Sequence, residues 1–485
     1  MSTLSAMRHP KATAGAVALS VLAFGLGIAD SGRRSLWSDE GVSATIGSGS
    51  WHALWHTLRT FDPNMSLYDV ALKVWQLGGT GAVWQRSLSA IFLAVTVFVV
   101  YLAGRRLGGP GRETLVGLVA AGILAVAPFA VRFAQELRSY ALLMLLVATA
   151  TWLFARLVDS PSTGGAVAFG AVTALAAYAH AYGVLAALAL AASLPFLGPA
   201  LPSRRVLLTA GAAYAATIAP FLLLVATGPD PLIDWITRPS LGSLRGSLVE
   251  FAGNNGLLVV VGSLVVLVAV LAGRELRVRG RSLDAWRLAL PVLGVVVPVT
   301  TAFAYSLVVQ PVFVTRYLIV CLPALALAAA LGVAAIPWRV AQVAVMAVIV
   351  VGSLVSVRTF LREPSRDDWA DLVAYVARRA EPGDGVVFCV PSVRPTFEYY
   401  ALRTPGATAI NPLSPAAPWG DGAHVDAAPA SAIDAFSRAP RIWVIEQYER
   451  GAPSNEVCDV STSMADRHRA DVQQFRGIEL RRYDR

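Results

Sequence analysis

Long runs of apolar residues, separated by short polar stretches, dominate this 485-residue chain. Each run has roughly 17 to 22 residues, enough for a helix to cross a hydrocarbon core about 30 Å thick. Because lipid cannot satisfy bare backbone groups, we expect the runs to be helices. We predict eleven spans, at approximately 12–30, 85–104, 114–131, 139–155, 164–179, 182–199, 206–226, 256–272, 288–308, 317–335 and 340–357.

The pattern changes after residue 357. Residues 365–380 have the apolar spacing of an amphipathic helix, and residues 386–390, 441–445 and 477–480 read as short strands. The sequence therefore predicts a polytopic α-helical membrane protein with a small C-terminal α/β domain. We place the membrane domain at 1–357, with long loops at 31–84 and 227–255, and the α/β domain at 358–485.

Composition and charge agree with a membrane protein. The chain is 56% hydrophobic and 15% charged, with a mean hydropathy of +0.59. Residues 358–485 carry 16 arginines and 18 acidic residues, so the first 357 residues hold a net charge of +11 against +9 for the whole chain. Anionic membrane lipid is therefore a better partner for this charge than nucleic acid, for which the sequence has no interleaved basic and aromatic motif.

Basic residues also predict the orientation. Arg105, Arg106, Arg204 and Arg205 fall in loops that share one side if the spans alternate, and loop 273–287 adds five more arginines. The positive-inside rule makes this side cytoplasmic. We therefore expect a cytoplasmic N-terminus, an extracytoplasmic C-terminal domain, and an extracytoplasmic loop at 31–84.

The three cysteines are too few for a disulfide framework. Cys321 falls within a predicted span. Cys389 and Cys458 both fall in the C-terminal domain, where an oxidising compartment would permit a bridge between them.

An acidic pair, Asp39-Glu40, follows the first span within the stretch Trp-Ser-Asp-Glu at 37–40. One interpretation is purely local: Ser38 caps a helix whose first turn favours acidic residues. The other is chemical, since a carboxylate at a partly water-excluded membrane edge is suited to general-base catalysis.

Three further polar motifs fall on the same predicted side as the acidic pair. They contain Glu136 and Arg138 between the third and fourth spans, His180 between the fifth and sixth, and Arg316 before the tenth. Each also has a structural interpretation: an interfacial ion pair, a histidine that orders a turn, and an arginine that snorkels to the interface. An arginine here is equally suited to a lipid phosphate.

These motifs, taken in order, resemble polyprenyl-phosphate-sugar-dependent membrane glycosyltransferases of the GT-C type. The similarity is greatest to the bacterial branch related to dolichyl-phosphate-mannose protein mannosyltransferases and the lipid A aminoarabinose transferase. The residues that carry it are Trp-Ser-Asp-Glu at 37–40, Asp-Pro-Asn-Met-Ser-Leu-Tyr at 62–68, Arg-Ser-Leu-Ser at 86–89, Gln-Glu-Leu-Arg-Ser-Tyr at 135–140, Tyr-Ala-His at 178–180 and Arg-Tyr at 316–317. Many members have Pro-Pro-Leu-Tyr where this chain has Met-Ser-Leu-Tyr at 65–68, which indicates a sub-branch.

The resemblance implies a transfer reaction in the bacterial plasma membrane. A sugar, mannose by default, would pass with inversion from a polyprenyl phosphate to a hydroxyl of an extracytoplasmic glycan, lipid or protein. Asp39 would be the base, with Glu40 assisting or orienting, and Arg86, Arg138 and Arg316 would stabilise the phosphate. The other substrate-binding positions implied are Asp62, Glu136, Tyr140, His180 and Tyr317. Some relatives use a divalent metal, for which Glu136 or His180 are candidate ligands.

Two other classes of function stay open at this point. A transporter or flippase for a lipid-linked sugar would carry functional charges near the bilayer midplane, often in paired repeats. A non-catalytic membrane scaffold would tolerate replacement of Asp39 and Arg316. The polar motifs of this chain cluster at one predicted edge and no duplicated half is apparent, which favours the enzyme.

Overall fold

The computed structural model describes residues 10–60, 63–228, 233, 235–414, 439–447 and 467–485. The chain divides into two compact units. The helical unit contains residues 1–29, 62–68 and 86–362. The sheet unit contains residues 30–61, 69–85 and 363–485, so most of the first long loop groups with the C-terminal residues. The boundary that we placed at residue 357 stays a prediction.

All eleven predicted apolar runs are helical. The helices of the helical unit are α1 (Pro10–Ile28), α5 (Ala82–Leu107), α6 (Glu113–Ala125), α7 (Pro128–Ala134), α8 (Tyr140–Asp159), α9 (Thr163–Ala179), α10 (Gly183–Ser193), α11 (Arg204–Thr227), α12 (Leu241–Ala252), α13 (Asn255–Arg279), α14 (Leu283–Val308), α15 (Leu322–Ala335) and α16 (Arg339–Arg362). The first turn of α5 belongs to the sheet unit.

The number of membrane spans differs from the predicted eleven. Within the described ranges, nine helical segments are long and apolar enough to cross a membrane, and α6 with α7, bent by 58°, makes a possible tenth. The remaining apolar run is α9, which has only 17 residues. It is short because Ser162 caps its start and His180, with extended backbone, ends it. The chain is a multi-pass membrane protein.

Close helix packing brings the turns of the helical unit together. Gly170 of α9 lies against α11, where a Cβ atom would collide with the carbonyl oxygen of Ala210. Gly183 opens α10, where a Cβ atom would collide with the backbone of Ala176. Glycine at these two positions lets neighbouring helices approach closely, which positions the turn between α9 and α10.

The sheet unit contains one five-stranded sheet, four complete α-helices, and parts of α4 and α5. Its helices are α2 (Ser38–Ser48), α3 (Trp51–Thr60), α4 (Ser66–Trp75), α17 (Trp369–Ala377) and α18 (Arg394–Ala401), with the first turn of α4 assigned to the helical unit. The strands are β1 (Gly385–Phe388), β2 (Asn411–Ser414), β3 (Arg441–Gln447), β4 (His468–Phe475) and β5 (Ile478–Asp484), in the order β2-β1-β3-β5-β4.

The buried strands of this sheet are the ones that the sequence indicates. β1 pairs in parallel with β2 and β3, and β5 pairs antiparallel with β3 and β4. One face packs on α17 and α18 through a core that includes Trp369, Phe388, Phe397 and Trp443. The predicted strands correspond to β1, β3 and β5, which confirms the small C-terminal α/β domain as part of the fold.

The edge strands β2 and β4 lack the apolar pattern that would have predicted them. β2 has four residues and contains a proline, and β4 alternates between exposed and half-buried positions. Edge strands bury little side-chain surface, so their sequences carry a weak signal. Of the cysteines, Cys321 is free and buried and Cys389 is disulfide-bonded. The predicted partner, Cys458, lies outside the described residues.

Candidate functional site

The turn between α7 and α8 carries the motif at 135–140 and is anchored at both sides. The Gln135 side-chain amide donates to the carbonyl oxygens of Leu26 and Ala29, each at 2.8 Å, at the end of α1. The Ser89 hydroxyl of α5 donates to the carbonyl oxygen of Arg138 at 3.4 Å. These bonds fix the backbone from which Arg138 extends.

The turn between α9 and α10 is held just as firmly. The Ala181 N–H donates to the Asn64 side-chain oxygen at 3.0 Å. The Tyr182 N–H donates to His180 Nδ1 at 3.2 Å, and the Tyr182 hydroxyl donates to the Val312 carbonyl oxygen at 2.6 Å. Because Nδ1 accepts a hydrogen bond, a neutral His180 carries its proton on Nε2, where it can act as a donor.

Four aromatic rings from three separate turns meet in the helical unit. The His180 and Tyr317 ring centroids lie 4.4 Å apart, and those of Tyr182 and Tyr317 lie 5.2 Å apart. Tyr140, the first residue of α8, lies 6.1 Å from His180 and 6.5 Å from Tyr317. We call these four residues the aromatic cluster. It joins three positions that the sequence motifs singled out.

Two arginines lie close enough to this cluster to disfavour a positive charge on His180. The Arg316 guanidinium carbon is 5.5 Å from the Tyr317 ring and 5.0 Å from the Trp235 ring. Burial lowers the pKa of His180 to about 3, and the positive charges of Arg138 and Arg316 act in the same direction. The arrangement is a neutral histidine beside two permanent cations, which is suited to binding an anion such as phosphate.

The remaining predicted residues of the helical unit are placed as follows. Arg86 is buried near the start of α5, three residues before Ser89, whose hydroxyl is 3.1 Å from that of Tyr68. Glu136 is half-buried in the turn that precedes α8. Asp62 lies outside the described residues.

Asp39 and Glu40 both lie in the first turn of α2, within the sheet unit. Glu40 is completely buried, and its carboxylate accepts a hydrogen bond from the Trp37 N–H at 3.2 Å. This closes a cap at the start of α2. The Asp39 side chain is half-buried. The structure therefore separates the two acids, because Glu40 is engaged in holding the helix end.

The sequence reasoning did not select three residues that help to build this region. Tyr182 lies two residues after His180 in the same motif, so the run of aromatic residues was a signal for it. Asn64 lies in the quoted segment at 62–68 but has no chemical signature of its own. Trp235 follows two prolines in the second long loop, and no periodic pattern indicates that it stacks near Arg316.

A metal site needs several convergent ligands. In the part of the chain that the structure describes, no three side chains of His, Cys, Asp or Glu come together as a group that can hold a metal ion. His180 Nδ1 already accepts the Tyr182 N–H. The described residues therefore do not make a fitting metal centre.

The overall fold of the chain is similar to that of several solved structures. The chain is similar to ArnT from Cupriavidus metallidurans in the apo state, with a TM-score of 0.63 and 15% identity over 96% of this chain and 97% of that chain. ArnT bound to undecaprenyl phosphate gives a TM-score of 0.62 with the same identity and coverage. The apo oligosaccharyltransferase of Archaeoglobus fulgidus gives 0.55, with 12% identity over 90% of this chain and 69% of that chain.

No protein-family model matches the sequence, and no curated protein sequence matches it significantly. The structural likeness confirms the predicted fold class, a polytopic helical membrane protein with a small C-terminal sheet domain, and shows that the fold is ArnT-like.

The buried His180 makes a prediction about pH. Because its pKa is lowered to about 3, the ring is neutral at every pH above about 4 and does not titrate in the physiological range. We expect His180→Gln, which keeps a neutral donor, to leave the shape of the pH profile of activity unchanged between about pH 5.5 and 8.5. The measurement is kcat/KM against pH for both proteins. The result would contradict a neutral His180 if the wild-type kcat/KM changed with pH near the ordinary histidine pKa and this change were absent in the variant.

Proposed function

We propose that this protein is a membrane glycosyltransferase that moves a sugar from a polyprenyl phosphate to an acceptor hydroxyl. The observation that carries the proposal is the pair of arginines, Arg138 and Arg316, beside a neutral His180 in a unit of ArnT-like fold. The phosphate of the donor supplies the anion that such a site requires. Undecaprenyl phosphate is bound in one of the similar ArnT structures, which makes a lipid phosphate the first ligand to test.

The proposed reaction is a single displacement. The acceptor oxygen attacks the anomeric carbon while its proton passes to the Asp39 carboxylate. The bond between the anomeric carbon and the phosphate oxygen breaks, and the lipid phosphate leaves with the electron pair. Since the leaving group is already a stable anion, it needs positive charge rather than a proton. Arg138 and Arg316, with Arg86, supply that charge, and the sugar carbon is inverted.

We assign different roles to the two acids. Asp39, half-buried in the first turn of α2, is the proposed base. Glu40 is buried and caps α2 through the Trp37 N–H, so we propose that it fixes the backbone that carries Asp39. A base that must accept and release a proton needs access to the acceptor, and the greater exposure of Asp39 supports this division.

We also propose a location and a default substrate. The arginine-rich loops place the N-terminus in the cytoplasm by the positive-inside rule. The reaction then takes place at the extracytoplasmic face of a bacterial plasma membrane, on a glycan, lipid or protein acceptor. Mannose is the first sugar to test, followed by arabinose derivatives, galactose and glucose.

The test is to incubate membranes containing the protein with a panel of radiolabelled polyprenyl-phosphate sugars. We expect one donor to lose its sugar and a new glycosidic product to form with inverted configuration. Membranes that contain Asp39→Asn serve as the matched control. Movement of an intact lipid-linked sugar across the membrane, with no new glycosidic bond, would favour a transporter instead. Consumption of no donor by the wild type would overturn the proposal.

A further inference from the structure

The segment that leads into Asp39 is held by residues more than 300 positions away in the sequence. The Leu36 N–H donates to the Tyr400 hydroxyl at 2.7 Å. The Thr396 hydroxyl donates to the Ser38 carbonyl oxygen at 3.2 Å. Tyr400 and Thr396 both lie on α18, which packs against the sheet, so the backbone of residues 36–38 is bound to the C-terminal part of the sheet unit.

A side-chain relay reaches the same segment from the sheet itself. The Ser38 hydroxyl donates to the Gln447 side-chain oxygen at 2.8 Å, and Gln447 lies at the end of β3. The Gln447 side-chain nitrogen in turn donates to the Asp367 carboxylate at 2.9 Å. The backbone of Ser38 hydrogen-bonds this carboxylate as well. Both the oxygen and the nitrogen of the Gln447 amide are therefore hydrogen-bonded, which fixes the orientation of the amide.

Asp367 is well placed to hold this relay. Its side chain is only 4% exposed. Burial raises the pKa of Asp367 to about 6, against the opposing effect of the neighbouring Arg366. The carboxylate is thus mainly ionised at neutral pH, in the form that accepts hydrogen bonds from Gln447 and Ser38. The Arg366 guanidinium also lies 4.3 Å from the ring of Trp37.

Glycine at position 41 allows this arrangement. Gly41 follows the acidic pair in α2, and a Cβ atom there would collide with the side chain and backbone of Thr396. The absence of a side chain lets the first turn of α2 lie directly on α18. We call Ser38, Asp367, Thr396 and Gln447 the Ser38 clamp.

We propose that the Ser38 clamp positions the Asp39 carboxylate for catalysis, with Gln447 and Asp367 as positioning residues that act through Ser38. This inference rests on the proposed function, since it assigns Asp39 the role of base. Ser38 is the residue directly before Asp39, so a rotation of its backbone moves the carboxylate. The C-terminal sheet is thereby part of the catalytic apparatus and not only a display domain.

The size of the effect follows from geometry. A catalytic group displaced by about 1 Å can lose on the order of a hundredfold in rate. Gln447→Leu removes the bonds to Ser38 and Asp367, which shifts the segment without releasing it, because the bonds to Tyr400 and Thr396 persist. We therefore expect Gln447→Leu to lower kcat about tenfold or more with little change in the KM for the lipid donor.

The experiment is a double-mutant cycle on Ser38 and Gln447. Ser38→Ala, Gln447→Leu and the double variant are assayed for kcat and KM on the donor that the wild type consumes. We expect each single variant to lower kcat and the double variant to lose less than the two single losses combined, because both substitutions remove the bond between Ser38 and Gln447. Hydrogen–deuterium exchange of the peptide containing residues 36–41 is measured in parallel. We expect faster exchange there in Gln447→Leu, with the strands of the sheet unchanged.

The matched control is Gln473→Leu. Gln473 lies on β4 of the same sheet and also donates to an aspartate, Asp471, at 2.9 Å, but it makes no contact with Ser38 that the structure describes. We expect it to keep the wild-type kcat and the wild-type exchange of residues 36–41.

Three outcomes would overturn the inference. Unchanged kcat in Gln447→Leu, in a protein whose wild type is active, removes the positioning role and leaves the proposed function standing. Additive losses in the double variant show that Ser38 and Gln447 act independently. A wild type that consumes no lipid-linked donor refutes the proposed function, and the positioning role falls with it. If Gln447→Leu fails to fold, Ser38→Ala alone decides, since it removes the relay bond without altering the sheet.

Discussion

Asp39→Asn will lower sugar transfer by about 10²–10⁴-fold, the usual contribution of a general base. The amide has nearly the shape of the carboxylate but cannot take a proton from the acceptor hydroxyl. Because Asp39 is only half-buried and Glu40 makes the cap of α2, the variant should fold and remain in the membrane. The measurements are initial rates with the active donor, and the melting temperature of the purified protein in detergent.

The matched control for this prediction is Asp30→Asn. Asp30 lies in the same loop region, and its ion pair with Arg33, at 3.7 Å, is largely exposed. Exposed pairs of this kind contribute little to stability, so the control should retain wild-type activity. Near wild-type turnover in Asp39→Asn would exclude Asp39 as the base, whereas a loss in both variants would point to a general effect of charge in the loop.

Arg316→Ala will lower kcat/KM by about 10²–10³-fold, comparable to the removal of one preorganised donor from a site of developing negative charge. The Arg316 guanidinium lies near the rings of Tyr317 and Trp235, and both rings interact with its charge. Arg316→Lys should recover only part of the loss, because lysine restores the charge but not the planar pair of donors. The measurement is kcat/KM with saturating acceptor, together with the affinity for the product, polyprenyl phosphate.

Arg245→Ala is the control for Arg316. Arg245 lies on α12 and bonds Asn255 at 3.2 Å, in an exposed position. We expect its removal to leave kcat/KM and the affinity for polyprenyl phosphate unchanged. If Arg316→Ala binds polyprenyl phosphate as tightly as the wild type, Arg316 does not contact the phosphate and its proposed role is wrong.

Much of the helical unit follows from local sequence. The apolar runs predicted helices because a segment of that length and hydropathy has few alternatives in a bilayer. Ser162, Asn254 and Ser282 accept a backbone N–H at the starts of α9, α13 and α14, as their types predict. The number of spans did not follow from local sequence, since the short α9 and the bend between α6 and α7 depend on how neighbouring helices pack.

The motifs in the turns could be identified from the sequence, but it did not predict that they lie close together in space. Tyr140, His180 and Tyr317 are separated by 40 and 137 positions, and hydropathy cannot state which turns lie side by side. The packing of α8, α9 and α10 with one another, and of α8 and α10 with the short helix Thr315–Cys321, decides it. Trp235 shows the same limit, because its place beside Arg316 depends on a loop that has no regular pattern.

The sequence alone was sufficient to indicate the membrane helices, the strands β1, β3 and β5, and the chemical types at the candidate site, because these depend on neighbours along the chain. Tertiary structure alone decided that residues 30–61 group with the C-terminal sheet. It also distinguished Glu40, buried as a cap, from Asp39. The bonds that join Leu36 to Tyr400 and Ser38 to Gln447 link residues 364 and 409 positions apart. No local propensity encodes such contacts, since they form only when the whole chain has folded.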